Sequence, residues 1–145
     1  MAGITESPFK AVSILYRKSH NRLNGGCAPY GLTAAQAVVI LIACDFGVLT
    51  QDEMTKRLSL DKSVIAKTVT KLTESGFLTR RPDENDRRTF TVRPTAKATA
   101  VYPQLCRQID DCFLQMTHTM TEDERRQFAR LLALAAESAA AAEED

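Results

Sequence analysis

The stretch that decides the fold is QDEMTKRLSLDKSVIAKTVTKLTESGFLTRRPDENDRRTFTVR, residues 51–93. Its first half reads as two short helices, 51–58 and 62–75, joined by the three-residue turn Ser59-Leu60-Asp61 and closed by Gly76, a natural helix C-cap. Ile65, Val69 and Leu72 fall at i, i+4 and i+7, so they seat the second helix on a core. After Gly76 the period changes from helical to alternating. Residues 77–81 and 89–93 read as strands, with Leu78 inward on one and Phe90 and Val92 inward on the other. The polar run between them, with residues 84–88 at its tip, makes the pair a hairpin. A helix-turn-helix followed by a β-hairpin is a winged helix-turn-helix.

Outward from this segment the helix starts are marked by capping residues. Ser7 precedes Pro8, which suits the first helical position because its missing N–H is an orphan there in any case. Thr33 with Gln36, Thr50 with Glu53, and Thr121 with Glu124 each fit the reciprocal capping box. A first helix is expected over 8–24, with Val12, Leu15, Tyr16 and Leu23 on its apolar side and Gly25-Gly26 as its stop. A second, over 34–44, is apolar nearly all round through Val38 to Ile42, which predicts burial. Gly47-Val48-Leu49 is a short extended link. Beyond the hairpin a helix is expected over 95–120, carried by Leu105, Ile109, Cys112, Phe113 and Met116, and a last one over 122–142 with many alanines. The fold class is therefore mainly α with a small β-hairpin wing, in the order helix, helix, short strand, two helices, two strands, two helices.

A chain of 145 residues suits one domain. Its net charge of +1 conceals an asymmetry: residues 1–50 carry +2, 51–100 carry +4 and 101–145 carry −5. A basic centre suits a polyanionic partner. No apolar run reaches the length of a membrane span and no leader pattern opens the chain, so a soluble, cytoplasmic protein without membrane contact is expected. The four cysteines lack CxxC spacing, and Cys106, Cys112 and His118 point in different helical directions, so no metal site is expected. His20 and His118 are isolated from any serine or acidic partner. With no Gly-rich phosphate loop either, neither a catalytic site nor a cofactor is expected.

The function class follows from where the second helix of such a motif goes. The major groove of DNA, about 12 Å wide, admits a helix and shows a distinct pattern of donors and acceptors for each base pair. Lys62, Ser63, Ala66, Lys67, Thr70 and Lys71 turn away from the core face and become the candidate contacts to phosphates and base edges of double-stranded DNA. Ala66 offers a methyl group to a thymine. Arg87 and Arg88 at the wing tip suit a narrow, electronegative minor groove. Asp86 would be repelled by phosphate, and its expected task is to hold Arg88 in position.

These residues together resemble the MarR family of bacterial regulators. The matching stretches are Leu32-Thr33-Ala34-Ala35-Gln36, Leu58-Ser59-Leu60-Asp61-Lys62-Ser63, Leu72-Thr73-Glu74-Ser75-Gly76-Phe77-Leu78 and Asp86-Arg87-Arg88. The resemblance implies a single MarR-type domain over 1–145, with a DNA-binding lobe at 33–94 and dimerisation helices at 7–24 and 95–142. It further implies a homodimeric repressor on a pseudo-palindromic operator, with Arg88 in the minor groove and Ser63 and Lys67 in the major groove. Many relatives release DNA when a small aromatic or phenolic ligand enters a crevice near the dimer helices, and others respond to cysteine oxidation.

The chain departs from the family pattern at three places. Ala37 follows Gln36 where an aromatic residue is common, Ala66 replaces a hydroxyl residue, and Pro94-Thr95-Ala96-Lys97-Ala98 replaces the usual Leu-Thr-x-x-x-Gly after the wing. Two alternatives stay open at this point. Cys27, the one cysteine in an apparent loop, is the candidate for a redox-sensing regulator. The other alternative is a dimeric interaction module that has kept the fold and lost the DNA.

Overall fold

The computed structural model describes residues 6–142. Its elements are α1 (Pro8–Cys27), a 3-10 turn (Ala28–Tyr30), α2 (Ala34–Phe46), β1 (Leu49–Thr50), α3 (Gln51–Leu58), α4 (Lys62–Glu74), β2 (Leu78–Pro82), β3 (Phe90–Pro94), α5 (Ala96–Met116) and α6 (Glu122–Ala142). This is the expected order of helices and strands. Residues up to Cys112 form one compact unit and those from Phe113 on a second. The ends of the expected 1–145 domain, residues 1–5 and 143–145, lie outside the described residues.

Helix starts follow the capping residues. The Ser7 hydroxyl accepts from the Phe9 amide. At Thr33 the box is reciprocal: Thr33 Oγ1 accepts from the Gln36 amide and Gln36 Oε1 from the Thr33 amide, at 3.2 and 3.0 Å. Thr121 and Glu124 repeat it. Thr50 accepts from the Glu53 amide at 3.0 Å, the forward half of the box.

Helix ends are where the sequence expectation needs correction. α1 does not stop at Gly25-Gly26 but continues to Cys27. The stop is Gly31, left-handed at φ 72°, where Leu32 N–H donates to Cys27 O and Gly31 N–H to Ala28 O. That is the Schellman pattern, which needs one residue in the left-handed region and not merely a flexible pair. At Gly26 a Cβ would meet the Gln108 side chain of α5, which would have to swing aside. Gly76, at φ 83°, closes α4 in the same way, with Phe77 N–H on Leu72 O and Gly76 N–H on Thr73 O. This stop takes up Phe77, so the strands begin one residue later than expected, at Leu78 and Phe90.

The core of the first unit gathers Val39 and Ile40 of α2, Leu49, Met54 of α3, Ile65, Val69 and Leu72 of α4, Leu78, Val92 and Leu105 of α5, each at most 2% exposed. Burying such a side chain contributes about 1.5–3 kcal/mol, so the three apolar anchors of α4 fix its rotation about its own axis. The sheet order is β1-β3-β2, antiparallel throughout, with Leu49 opposite Val92 and Leu78 opposite Pro94. The hairpin is thus joined through β3 to the strand that leads into α3. A further tie crosses the unit from α5 to α2, where the Tyr102 phenol donates to the Asp45 carboxylate. That hydrogen bond to Asp45 pushes the phenol well above its ordinary range.

In the second unit α5 ends at Met116, earlier than expected. Buried Thr117 donates its hydroxyl to Phe113 O, and Arg125 of α6 reaches back to it, with Nε 2.9 Å from Thr117 Oγ1. Phe113 and Phe128 stack at 6.2 Å between ring centroids. Among the described residues no single helix is long and apolar enough to cross a membrane.

Candidate nucleic-acid interface

The turn between α3 and α4 is a third Schellman stop, with Leu60 N–H on Thr55 O and Ser59 N–H on Lys56 O. Here the left-handed residue is Ser59, at φ 50° and ψ 44°, and not a glycine. The turn delivers α4 with Asp61 as its N-cap residue. The Asp61 side chain makes no capping hydrogen bond to that end.

Lys62, Ser63, Lys67 and Lys71 are exposed along α4, and Ala66 and Thr70 are half-buried between them. Lys62 pairs with Asp52 of α3 at 3.4 Å, both largely in water. Thr70 is more committed than its sequence position suggests. Its hydroxyl donates to Ala66 O and accepts from Arg80 Nη1 of β2 at 3.2 Å. Arg80 also lies over the Phe90 ring, 4.5 Å from its centroid, so through its bond to Thr70 it ties the hairpin to α4. Ala66, Lys67, Thr70 and Lys71 share an open cleft of about 570 Å³ with Thr33 and Gln36 at the start of α2. The N-terminus of α2 therefore belongs to the basic face, a placement that only the tertiary fold reveals.

At the wing tip Thr89 N–H donates to Asp86 O at 3.1 Å, closing a turn whose two central residues are Arg87 and Arg88. Both arginines are exposed. Asp86 Oδ1 accepts from the Arg88 amide at 3.1 Å and from Arg88 Nε at 3.0 Å, while Oδ2 takes Arg88 Nη2 at 3.3 Å. The Arg88 side chain is 92% exposed yet held by its guanidinium. Hydrogen bonds from the Arg88 side chain and backbone keep the Asp86 carboxyl below its ordinary range. A further carboxylate, Asp83, sits beneath the turn. Its Oδ2 accepts the Asn85 and Asp86 amides at 3.3 and 3.1 Å, and its Oδ1 the Thr91 hydroxyl at 3.0 Å. Neither Arg80 nor Asp83 stands out in the sequence, although an aspartate followed by backbone amides two and three residues on is a recognisable turn signal.

Cys27 is not in a loop. It is the last residue of α1, 1% exposed, and burial pushes its thiol up from the ordinary range. Reactive thiols are exposed and shifted the other way. Burial also raises Cys44 and Cys112. Ala37 is likewise a core residue, 3% exposed.

The sequence profile of the MarR family matches residues 32–90, from the start of α2 through the wing. A MarR transcriptional regulator from Methanosarcina mazei Go1 superposes with a TM-score of 0.84 at 25% identity, covering 90% of this chain and 94% of that one. Residues 32–90 thus carry the MarR-family pattern, and the likeness to MarR regulators extends over most of the chain. Among curated relatives, the multiple antibiotic resistance protein MarR of Escherichia coli is 28% identical over 117 residues, 79% of this chain and 81% of the relative. A mutant of E. coli MarR has been solved in complex with operator DNA; it is 26% identical with a TM-score of 0.78, covering 87% of this chain and 91% of that one. The likeness is that of a winged-helix transcription regulator.

Proposed function

We propose that this protein acts as a homodimeric repressor, its two copies of α4 in successive major grooves and its two wings in the flanking minor grooves of a pseudo-palindromic operator. The observation that carries the reading is Arg88, 92% exposed at the wing tip while Asp86 grips its guanidinium and backbone. Ser63, Ala66 and Lys67 face base edges. Lys62, Lys71 and the uncapped amides of α4 take phosphates, aided by Arg87. Thr70, held by Arg80, sets the side-chain floor of the groove contact. The family likeness supports release of DNA by a small aromatic or phenolic ligand.

The dimer has support of its own. Phe9, Val12 and Tyr16 of α1 are 60% exposed or more, and Leu131, Leu132 and Leu134 of α6 are about half exposed. Apolar faces of this kind mark protein contacts.

Footprinting on DNA from upstream of the protein's own gene should protect two half-sites about 34 Å apart, one helical turn. Arg88→Ala should weaken binding to A·T-flanked sites about tenfold, equivalent to about 1.4 kcal/mol. Affinity should also fall steeply with salt, at about 0.9 log units per phosphate neutralised. No protected palindrome, either there or in a genomic fragment library at low salt, would sink the proposal. A dimer that binds partners indifferently to Arg88 would support the interaction-module reading.

A further inference from the structure

We infer that Asp83 is a positioning residue for DNA binding, aiming Arg88 through Asp86. The inference rests on the proposed minor-groove role of the wing.

The geometry is a relay of two carboxylates. A carboxylate offers two oxygens with about four acceptor sites. Asp83 uses them in opposite directions: Oδ1 is fixed to the Thr91 hydroxyl on β3, and Oδ2 collects the Asn85 and Asp86 amides of the tip. Its own amide donates to Thr89 O at 3.0 Å. Thr91 pairs with Arg81 across the hairpin and with Thr50 of β1, so it is anchored in the sheet on both sides. The backbone of Asp86 is thereby set relative to the sheet, and its carboxylate in turn holds the amide and guanidinium of Arg88. Without Asp83 the two tip amides turn to water, and nothing in the tip beyond the Thr89 bonds fixes the direction in which Asp86 presents Arg88.

Electrostatics makes the inference testable by sign. A solvated carboxylate near phosphates repels them, so deleting one that only decorates the surface strengthens binding. If Asp83 aims Arg88, Asp83→Ala weakens binding although it removes a negative charge. Asp83→Asn separates the two effects. Its amide oxygen still accepts the tip N–H groups, its NH₂ donates to the Thr91 hydroxyl, which accepts equally well, and the charge is gone.

The experiment measures affinity for a footprinted duplex by fluorescence anisotropy, using full-length wild type, Asp83→Ala, Asp83→Asn, Arg88→Ala and the Asp83→Ala/Arg88→Ala pair. Hydrogen exchange at the Asn85 and Asp86 amides is read on the free proteins. The expected results are a loss in Asp83→Ala approaching that of Arg88→Ala, no further loss in the double variant, and wild-type or tighter affinity in Asp83→Asn. Amide protection should disappear in Asp83→Ala and persist in Asp83→Asn. Asp83→Ala binding as well as wild type, losses that add, or unchanged amide protection would each overturn the inference while leaving the DNA-binding proposal standing. Wild type failing to find any specific duplex overturns both.

Discussion

Ser59 shows what a single residue contributes to the recognition motif. Three helices end in Schellman stops, and two of them place glycine in the left-handed position, Gly31 and Gly76. The third, between α3 and α4, uses serine at φ 50°. A side chain in that region costs roughly 1–2 kcal/mol against the right-handed alternative. Ser59→Gly should therefore leave stability unchanged or raise it by up to about 1 kcal/mol, part of the relief being offset by the freer unfolded chain. Ser59→Val, β-branched at positive φ, should lower stability by more than about 1 kcal/mol and weaken DNA binding with it. Chemical denaturation of both variants checks this, and a stable Ser59→Val protein would contradict it. The three-residue turn is visible in the sequence, whereas its strain is not, because serine is a common turn residue in ordinary conformations too.

At the scale of elements the informative pair is Gly25-Gly26. Both lie inside α1, and a Cβ at Gly25 meets nothing within 4 Å, while one at Gly26 meets Gln108. Gly25→Ala should stabilise the protein by about 0.5–1 kcal/mol through helix propensity. Gly26→Ala must first displace the Gln108 side chain and should gain less or nothing, a ranking that thermal denaturation can read. These glycines look like a stop because sequence patterns report local preference, and the side chain that faces Gly26 sits on α5, 82 positions away. The starts of α2 and α6 were legible for the opposite reason: Thr33-Gln36 and Thr121-Glu124 satisfy each other within one turn. The same contrast divides the interface. The outward lysines of α4 follow from the i, i+4, i+7 spacing of Ile65, Val69 and Leu72. The bond from Arg80 to Thr70 and the burial of Cys27 depend on contacts between elements that no spacing encodes.

For the whole molecule, the charge divides into a basic centre and an acidic last third. If α1 and α6 cover their apolar faces with a second copy, sedimentation should give twice the 16.0 kDa chain mass. Val12→Glu together with Leu131→Glu should then shift the protein toward monomer and cost about 10²–10⁴ in operator affinity, the avidity of linked half-sites. A monomeric wild type that binds operator as tightly as a dimer would refute this. The sheet order β1-β3-β2 has a mechanical consequence. Thr50 caps α3 and pairs with Thr91, and Thr91 holds the aspartate under the wing tip. The helix-turn-helix and the wing are thus two arms of one lever pivoting on β3, and a rotation imposed on α3 reaches the hairpin through main-chain hydrogen bonds. On the proposed mode of operator binding, an effector that tilts that lever should withdraw helix and wing from their grooves in one stroke.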